Sequence, residues 1–307
     1  MMKNFQRIIG TIMVFVLCIT LGSTLVKTDV SADSDKKEQA STVLRKYDLT
    51  TGETSLVPME SDKLFRSDST SNNTQGYNPS KANPYAIIGT DERTKVTTTT
   101  THPYYAIAQL SVTYTDSTSA TATGFMVSEN VLLTAGHASM SESSNAPIKS
   151  ATIYLGRNGS STPSTATLSS YYVCSEFTYY SDDDQDDYAI WILNSNIGNT
   201  SGWFGVGYNT SNSYFTGNTF TITGYPGDKP NGTMWTASAS ISSCSTYLLK
   251  HKIDTMAGQS GAPVYINKSG SGYVVYGIQV SGTSTMNTAR RITQELYDWL
   301  IANNYIH

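Results

Sequence analysis

The run Gly258-Gln259-Ser260-Gly261-Ala262-Pro263 sets a serine between glycines, just ahead of the β-rich stretch Val264-Tyr265-Ile266. A serine hydroxyl attacks a carbonyl only when a neighbouring base takes its proton. The attack also needs N–H donors for the oxyanion it creates. Gly258, two residues before the serine, lets the backbone bend so that its own N–H and that of Ser260 point the same way. In a chain this rich in Ser, Thr and Gly, the run by itself would be an ordinary turn. Two further stretches supply what it lacks. Thr134-Ala135-Gly136-His137 places an imidazole directly after the apolar run Val131-Leu132-Leu133. Asp187-Tyr188-Ala189-Ile190 places a carboxylate at the head of another apolar run, with Asp186 as the alternative acid. A nucleophile, a base and a group to orient that base are the ingredients of acyl transfer.

Each residue also has a plainer reading. His137 would otherwise be a structural histidine at a strand end. Of the four histidines, only His137 stands in the Thr-Ala-Gly context; His102, His251 and His307 read as structural or surface residues. Asp187 would otherwise be one more member of the solvated loop Asp182-Asp183-Asp184-Gln185-Asp186. That loop has the oxygen chemistry of a calcium site, but an ordinary solvated loop is the preferred reading. No metal or organic cofactor is needed for the chemistry.

These groups must be positioned by β-structure. Tyr104 to Tyr114, Gly124 to Val127, Val131 to Leu133, Thr152 to Leu155, Tyr171 to Val173 and Ala189 to Leu193 are strand candidates. After a polar gap at 194–202, further candidates run through Thr219 to Thr223, Met234 to Ala237, Tyr247 to Leu249, Val264 to Ile266 and Val274 to Ile278. Many short strands with frequent turns suggest barrels or sandwiches. One helix is expected, over 293–303, with Thr293 as N-cap and Leu296, Trp299 and Leu300 on one face.

The chain of 307 residues divides further. Residues 1–32 begin with Lys3 and Arg7, run apolar from Ile8 to Leu21 and end in Val30-Ser31-Ala32, which is the pattern of a secretory signal peptide. Residues 33–85 are polar and turn-rich and read as a pro-segment, although Ser41-Thr42-Val43-Leu44 could dock as a strand. From Ala86 onward, 10 Lys/Arg face 15 Asp/Glu, a net charge of −5, which argues against nucleic acid or an anionic membrane as partner. The expectation is an extracellular monomer. Of three cysteines, Cys18 leaves with the signal segment, and Cys174 and Cys244 remain in a compartment where a disulfide can persist.

The order His137, Asp187, Ser260 is that of chymotrypsin, not of subtilisin or the α/β-hydrolases. From about Ala86 to the end, the chain resembles the secreted bacterial glutamyl endopeptidases, the V8-like branch of chymotrypsin-fold serine proteases. The resemblance rests on Ile88-Gly89-Thr90-Asp91-Glu92-Arg93, Thr134-Ala135-Gly136-His137, Gly224-Tyr225-Pro226-Gly227-Asp228-Lys229, Ile253-Asp254-Thr255 with Gly258-Gln259-Ser260-Gly261, and Arg291-Ile292-Thr293. It implies an all-β fold of two six-stranded antiparallel barrels with a C-terminal helix, over 86–198 and 199–307. His137 and Asp187 would come from the first barrel and Ser260 from the second. Gly258 and Ser260 would form the oxyanion hole, and protein or peptide would be the substrate.

Three departures from the family pattern stand out. Ala122 and Ala138 occupy the places where relatives often bridge two cysteines, which leaves a Cys174–Cys244 bridge as the expected alternative. Thr255 matches a threonine that contacts the substrate glutamate, but Gln279 stands where relatives carry a histidine. The resemblance therefore implies a relaxed preference for Glu before the cut. The rival readings are a narrow-specificity, toxin-like protease and a non-enzymatic binding protein on the same scaffold.

Overall fold

The computed structural model describes residues 42–59, 86–179 and 184–307. The signal segment, Cys18, Ser41, Asp182 and Asp183 lie outside them. Among the described residues, no helix is long and apolar enough to cross a membrane.

The first barrel is built from β4 (Ile107–Tyr114), β5 (Ser119–Met126), β6 (Val131–Thr134), β7 (Ile148–Leu155), β8 (Ser164–Cys174) and β9 (Ala189–Leu193). Hydrogen bonding runs β8-β7-β4-β5-β6-β9 and closes through β9 back to β8. Closure leaves no edge among these six strands. β8 can serve both ends because it is long: Ser164 to Thr167 pair with β7, and Leu168 to Val173 pair with β9 after a register shift. Its inside is filled by Leu110, Val112, Met126, Leu132, Ile153, Tyr171 and Trp191, all fully or almost fully buried. Each such apolar side chain contributes about 1.5–3 kcal/mol when buried.

The second barrel comprises β11 (Thr219–Gly224), β12 (Trp235–Cys244), β13 (Leu248–His251), β14 (Pro263–Lys268), β15 (Gly272–Gly282) and β16 (Asn287–Arg291). The order is β15-β14-β11-β12-β13-β16, closed by β15–β16 pairing. Two short strands add to its outside: β3 (Thr94–Lys95) on β12 and β10 (Gly205–Val206), parallel, on β15. The two-barrel expectation holds.

Three features extend or depart from the sequence reading. Residues 43–58 form a hairpin, β1 (Val43–Asp48) and β2 (Thr54–Pro58), with β1 paired to β8 from Leu44↔Cys174 to Asp48↔Ser170. The segment read as a pro-segment thus contributes two strands to the first sheet, with Leu44 fully buried and Tyr47 stacked on Tyr171 at 4.7 Å. Strand β16 was not expected from its polar residues, yet all five are buried. Cys174 and Cys244 are both thiols. Cys174 packs with Met140 and Phe177, whereas Cys244 ends β12 and donates to the Asn212 carbonyl oxygen at 3.6 Å. The two thiols sit in separate clusters, so the expected bridge is not made.

Two short helices, α1 (Gly198–Ser201) and α2 (Asn212–Thr216), precede β11. The predicted terminal helix is α3 (Gln294–Ala302), and the Thr293 hydroxyl accepts from the Leu296 N–H as its cap. Its buried face, Leu296, Trp299 and Leu300, joins the core of the first barrel, where Trp299 meets the edge of Tyr172 at 5.3 Å. The helix follows the second barrel in sequence and packs on the first.

Candidate active site

β6 ends at Thr134, and a single 3-10 turn, Gly136–Ser139, carries His137. Two bonds fix that turn to the barrel: Trp191 Nε1 donates to Ser139 Oγ at 2.9 Å, and the Tyr114 hydroxyl donates to the Ala138 carbonyl at 3.1 Å. β9 pairs with β6, which brings the residues just before β9 alongside the turn. Asp187 therefore reaches His137 with both carboxylate oxygens. Oδ1 accepts the His137 backbone N–H at 2.8 Å, and Oδ2 accepts from Nδ1 at 2.7 Å. Asp187, and not the alternative Asp186, makes both contacts. A side chain at position 136 would meet Asp187 Oδ1 at 3.2 Å and the Tyr188 N at 3.0 Å, so glycine is what permits the approach.

A carboxylate only accepts, so Nδ1 carries the ring proton and Nε2 keeps its lone pair. Burial pulls the His137 pKa down. The Asp187 charge and hydrogen bond overcome it, aided by Asp184 and Glu142, and the net shift is upward.

The serine loop comes from the second barrel and is held against the first. Ser260 is buried, and its carbonyl accepts the Thr123 N–H at 2.8 Å. The Thr123 hydroxyl donates to the Gly258 carbonyl at 2.7 Å and accepts the Tyr225 N–H at 3.0 Å. Gly261, at φ +82°, lies so close to β6 that a side chain there would sit 2.1 Å from Thr134 Oγ1 and 2.8 Å from the Ala135 N. The serine is thereby brought beside the turn that carries His137.

The loop's carbonyls are all accounted for. Ala257 O accepts from the Gly227 N–H at 2.7 Å, and Gln259 O from the Ala262 N–H at 2.9 Å. With those of Gly258 and Ser260 on Thr123, four consecutive carbonyls have donors within the protein. A trans peptide points its C=O and N–H in opposite directions. With Ala257 O turned to Gly227, the Gly258 N–H points the opposite way. Gly258 adopts φ +94°, a conformation that glycine reaches without strain.

Thr255 and Gln279 are also brought together, both fully buried. Gln279 Nε2 donates to Thr255 Oγ1 at 3.3 Å and to the Ser281 carbonyl at 3.0 Å. Its Oε1 accepts from His251 Nε2 at 2.9 Å. His251, read from sequence as a structural or surface residue, is buried directly behind Gln279. Burial pushes its pKa down to about 4, against a smaller upward pull from Gln279, so it is neutral near pH 7. On the other side, Ser281 Oγ donates to Asp184 Oδ2 at 2.7 Å. Burial raises the Asp184 pKa, with the Ser281 bond opposing.

Thr123 and Asp184 were missed by sequence reasoning. Thr123 sits in an Ala-Thr-Ala-Thr run with no motif, and Asp184 is one acid among several. Among the described residues, no group of three or more His, Cys, Asp or Glu is arranged to hold a metal ion.

The trypsin family model matches residues 94–300. The chain is 40% identical over 230 residues to a glutamyl endopeptidase of Bacillus licheniformis, which covers 72% of this chain and 70% of that protein. It is also 40% identical over 218 residues to a Bacillus subtilis protein named extracellular metalloprotease, covering 70% of this chain and 68% of that one. Among solved structures, a Glu endopeptidase in complex with MPD superposes with a TM-score of 0.62 at 29% identity, covering 71% of this chain and 99% of that one. The chain belongs to the trypsin family and, within it, is a V8-like, glutamyl endopeptidase-like serine endopeptidase.

Proposed function

We propose that the protein is an exported, monomeric endopeptidase in which Ser260, His137 and Asp187 form the catalytic triad. Ser260 Oγ attacks the scissile carbonyl, and His137 Nε2 takes its proton. The imidazolium that results is stabilised by Asp187 and later protonates the leaving amine. The N–H groups of Gly258 and Ser260 receive the oxyanion, where one such donor is typically worth about 3–4 kcal/mol of barrier. No cofactor takes part. The observation that carries this reading is the double clamp of Asp187 on His137, at 2.8 and 2.7 Å. It fixes both the tautomer and the ring orientation that proton transfer from serine needs.

The substrate is protein or peptide, and the preferred residue before the cut is Glu, held with relaxed selectivity. Thr255 accepts from Gln279 and so keeps its own hydroxyl proton to donate to a carboxylate. The protein acts outside the cell after loss of residues 1–32, without nucleic acid or membrane partners. Residues 33–85 act as a pro-segment. The segment that would follow processing is tied to the same region: Asn287 exchanges two hydrogen bonds with Ala86, at 3.3 and 3.1 Å, and pairs with Gly282. A new α-amino group near Ala86 would therefore lie close to the strand that carries Gln279.

Ser260→Ala is the direct test. The variant should fold, fail to react with a fluorophosphonate probe and lose nearly all hydrolysis of casein. Hydrolysis at a rate comparable to wild type would remove Ser260 from the mechanism and favour a different nucleophile.

A further inference from the structure

The segment 88–93 matches the family, yet the chemistry above gives it no task. In the structure it is bound to the underside of the serine loop. Its backbone is anchored first: the N–H groups of Ile88 and Glu92 donate to the two carboxylate oxygens of Asp254, each at 2.8 Å. Arg93 then turns inward, its side chain fully excluded from solvent. The guanidinium makes two bidentate forks. One grips Asp91, at 2.9 and 3.0 Å. The other grips Asp228, at 3.0 and 2.5 Å. Lys229 closes the cluster by reaching Asp91 at 2.7 Å. A cation buried to this degree is tolerated because two carboxylates answer it, and planar forks suit arginine and not lysine.

Two routes lead from Arg93 to the oxyanion donors. The first runs through Asp228, which follows Gly227, and the Gly227 N–H holds the Ala257 carbonyl at 2.7 Å. That carbonyl belongs to the same rigid peptide unit as the Gly258 N–H, so fixing one fixes the other. The packing is tight, since a side chain on Gly258 would meet the Tyr225 carbonyl oxygen at 2.6 Å. The second route runs through Gln259, which stands between the two donor residues and is buried. Its Oε1 accepts from the Met256 N–H at 3.0 Å and, at a longer 3.4 Å, from Arg93 Nη1. Its Nε2 is buried without a partner. The Gln259 side chain is therefore held by the oxygen end alone, and Arg93 is one of its two anchors.

We propose that Arg93 is a positioning residue for the oxyanion hole: gripping Asp228 and Gln259 together, it keeps the Gly258 N–H turned toward the cleft. Arg93 touches neither substrate nor reacting atoms. Its effect is on the geometry of donors that matter most when charge develops on the carbonyl oxygen, so its loss acts on the chemical step more than on substrate binding. The inference rests on the serine-protease reading of Ser260 and Gly258.

The test compares the processed wild-type protein with Arg93→Ala, Arg93→Lys and Asp228→Asn. Competent sites are counted by stoichiometric fluorophosphonate labelling, and kcat per labelled site, KM and the Ki of a peptide aldehyde are measured. The aldehyde adduct places its oxygen where the oxyanion forms, so its Ki reports the donors directly. Arg93→Ala should lower kcat per site by at least tenfold, approaching the roughly hundredfold or greater loss that follows outright removal of one donor. KM should stay within about threefold, and the aldehyde Ki should weaken in step with kcat. Arg93→Lys should recover part of the loss, because one ammonium can answer one carboxylate but cannot make both forks. Asp228→Asn should fall between. Unchanged kcat per site with fewer labelled sites would make Arg93 purely structural and overturn the proposal, as would a rise in KM alone. If Arg93→Ala is not recovered folded, the other two variants decide the same comparison. Failure of wild type to label at Ser260 would instead sink the underlying reading.

Discussion

Replacing Gln279 by histidine should sharpen selectivity for Glu over Gln before the cut, and the structure sets how far. Both amide hydrogens of Gln279 are taken, by Thr255 Oγ1 and the Ser281 carbonyl, and its oxygen is taken by His251. On the proposed function, a substrate carboxylate at this position would meet the Thr255 hydroxyl, a neutral donor. A neutral hydrogen bond contributes about 0.5–1.5 kcal/mol, and one to a charged group about 1.5–3 kcal/mol. An imidazolium in place of the amide adds a second charge to the contact, a gain of about 1 kcal/mol or somewhat under tenfold. The pocket resists that charge, because burial, aided by the nearby Lys250 charge, outweighs the Gln279 hydrogen bond and holds the neighbouring His251 down to about 4. The introduced imidazole would be cationic only with a carboxylate bound, and more readily at pH 6 than at pH 8. Two peptides differing only in Glu or Gln before the cut give the answer as a ratio of kcat/KM, from which the titration of His137 cancels. The Glu/Gln ratio should rise about five- to tenfold in Gln279→His, with the larger rise at pH 6. An unchanged ratio at both pH values would show that residue 279 does not face the substrate side chain. Cleavage of wild type after Arg or large apolar residues, with Glu ignored, would remove the glutamyl preference altogether.

The acid limb of kcat/KM should lie above the ordinary histidine value of about 6.5, since Asp187, Asp184 and Glu142 together outweigh burial at His137. Asp184→Asn should move that limb down, and a limb that stays put would exclude Asp184 as a contributor. His251 predicts an acid-sensitive fold: the folded pKa of about 4 lies below the unfolded value of about 6.5, so nothing is lost above pH 6.5. As pH falls from there to about 4, the unfolded chain gains the proton first, and stability drops by up to about 3 kcal/mol. Chemical denaturation of wild type and His251→Asn across that range checks it, with equal pH slopes counting against His251. The precursor should be weakly active until cut between about Ser80 and Ile88; N-terminal sequencing of the active form locates the cut, and full activity with residues 33–85 attached would contradict a pro-segment role.

What the sequence disclosed depended on whether a residue's partner was local. His137, Asp187 and Ser260 each stand at a strand end inside a short motif, and the strands bearing them alternate or run apolar. The terminal helix was visible for the same reason, with its cap and its apolar stripe inside ten residues. Strand β16 was invisible because Asn287-Thr288-Ala289-Arg290-Arg291 looks like a solvated loop. It is buried because its partners come from elsewhere: Asn287 donates to the Ile253 carbonyl, Lys250 donates to Thr288, and Arg291 bonds Asn212 while its guanidinium stacks on Phe215. The hairpin partner β2 escaped notice because its outward residues are exposed and only pairing with β1 makes it a strand. The expected disulfide failed on what counting cysteines cannot supply, the packing that sets Cys174 with Met140 and Phe177 and Cys244 at the end of β12.

The loop that bears Ser260 is fixed from opposite sides by chain segments that no motif connects. On one side Thr123, in the first barrel, takes the carbonyls of Gly258 and Ser260 with its hydroxyl and its backbone N–H. On the other side the Gly227 N–H, next to the Asp228 that Arg93 grips, holds the carbonyl of the peptide that ends in the Gly258 N–H. A hydroxyl has one proton to give, and Thr123 spends it on Gly258 while receiving the Tyr225 N–H. The same side chain thereby ties the loop to the Tyr225-Pro226-Gly227-Asp228 turn from which the other clamp acts. The carbonyl oxygen of Thr123 accepts in turn from the Thr134 hydroxyl, three residues before His137. The serine loop and the histidine turn therefore share one threonine as their common reference. Their relative position rests on short backbone and hydroxyl bonds in a buried seam, where losing one bond leaves polar groups unsatisfied at about 1–3 kcal/mol each. Ser260 and His137, carried by two separate barrels, can hold their alignment for that reason.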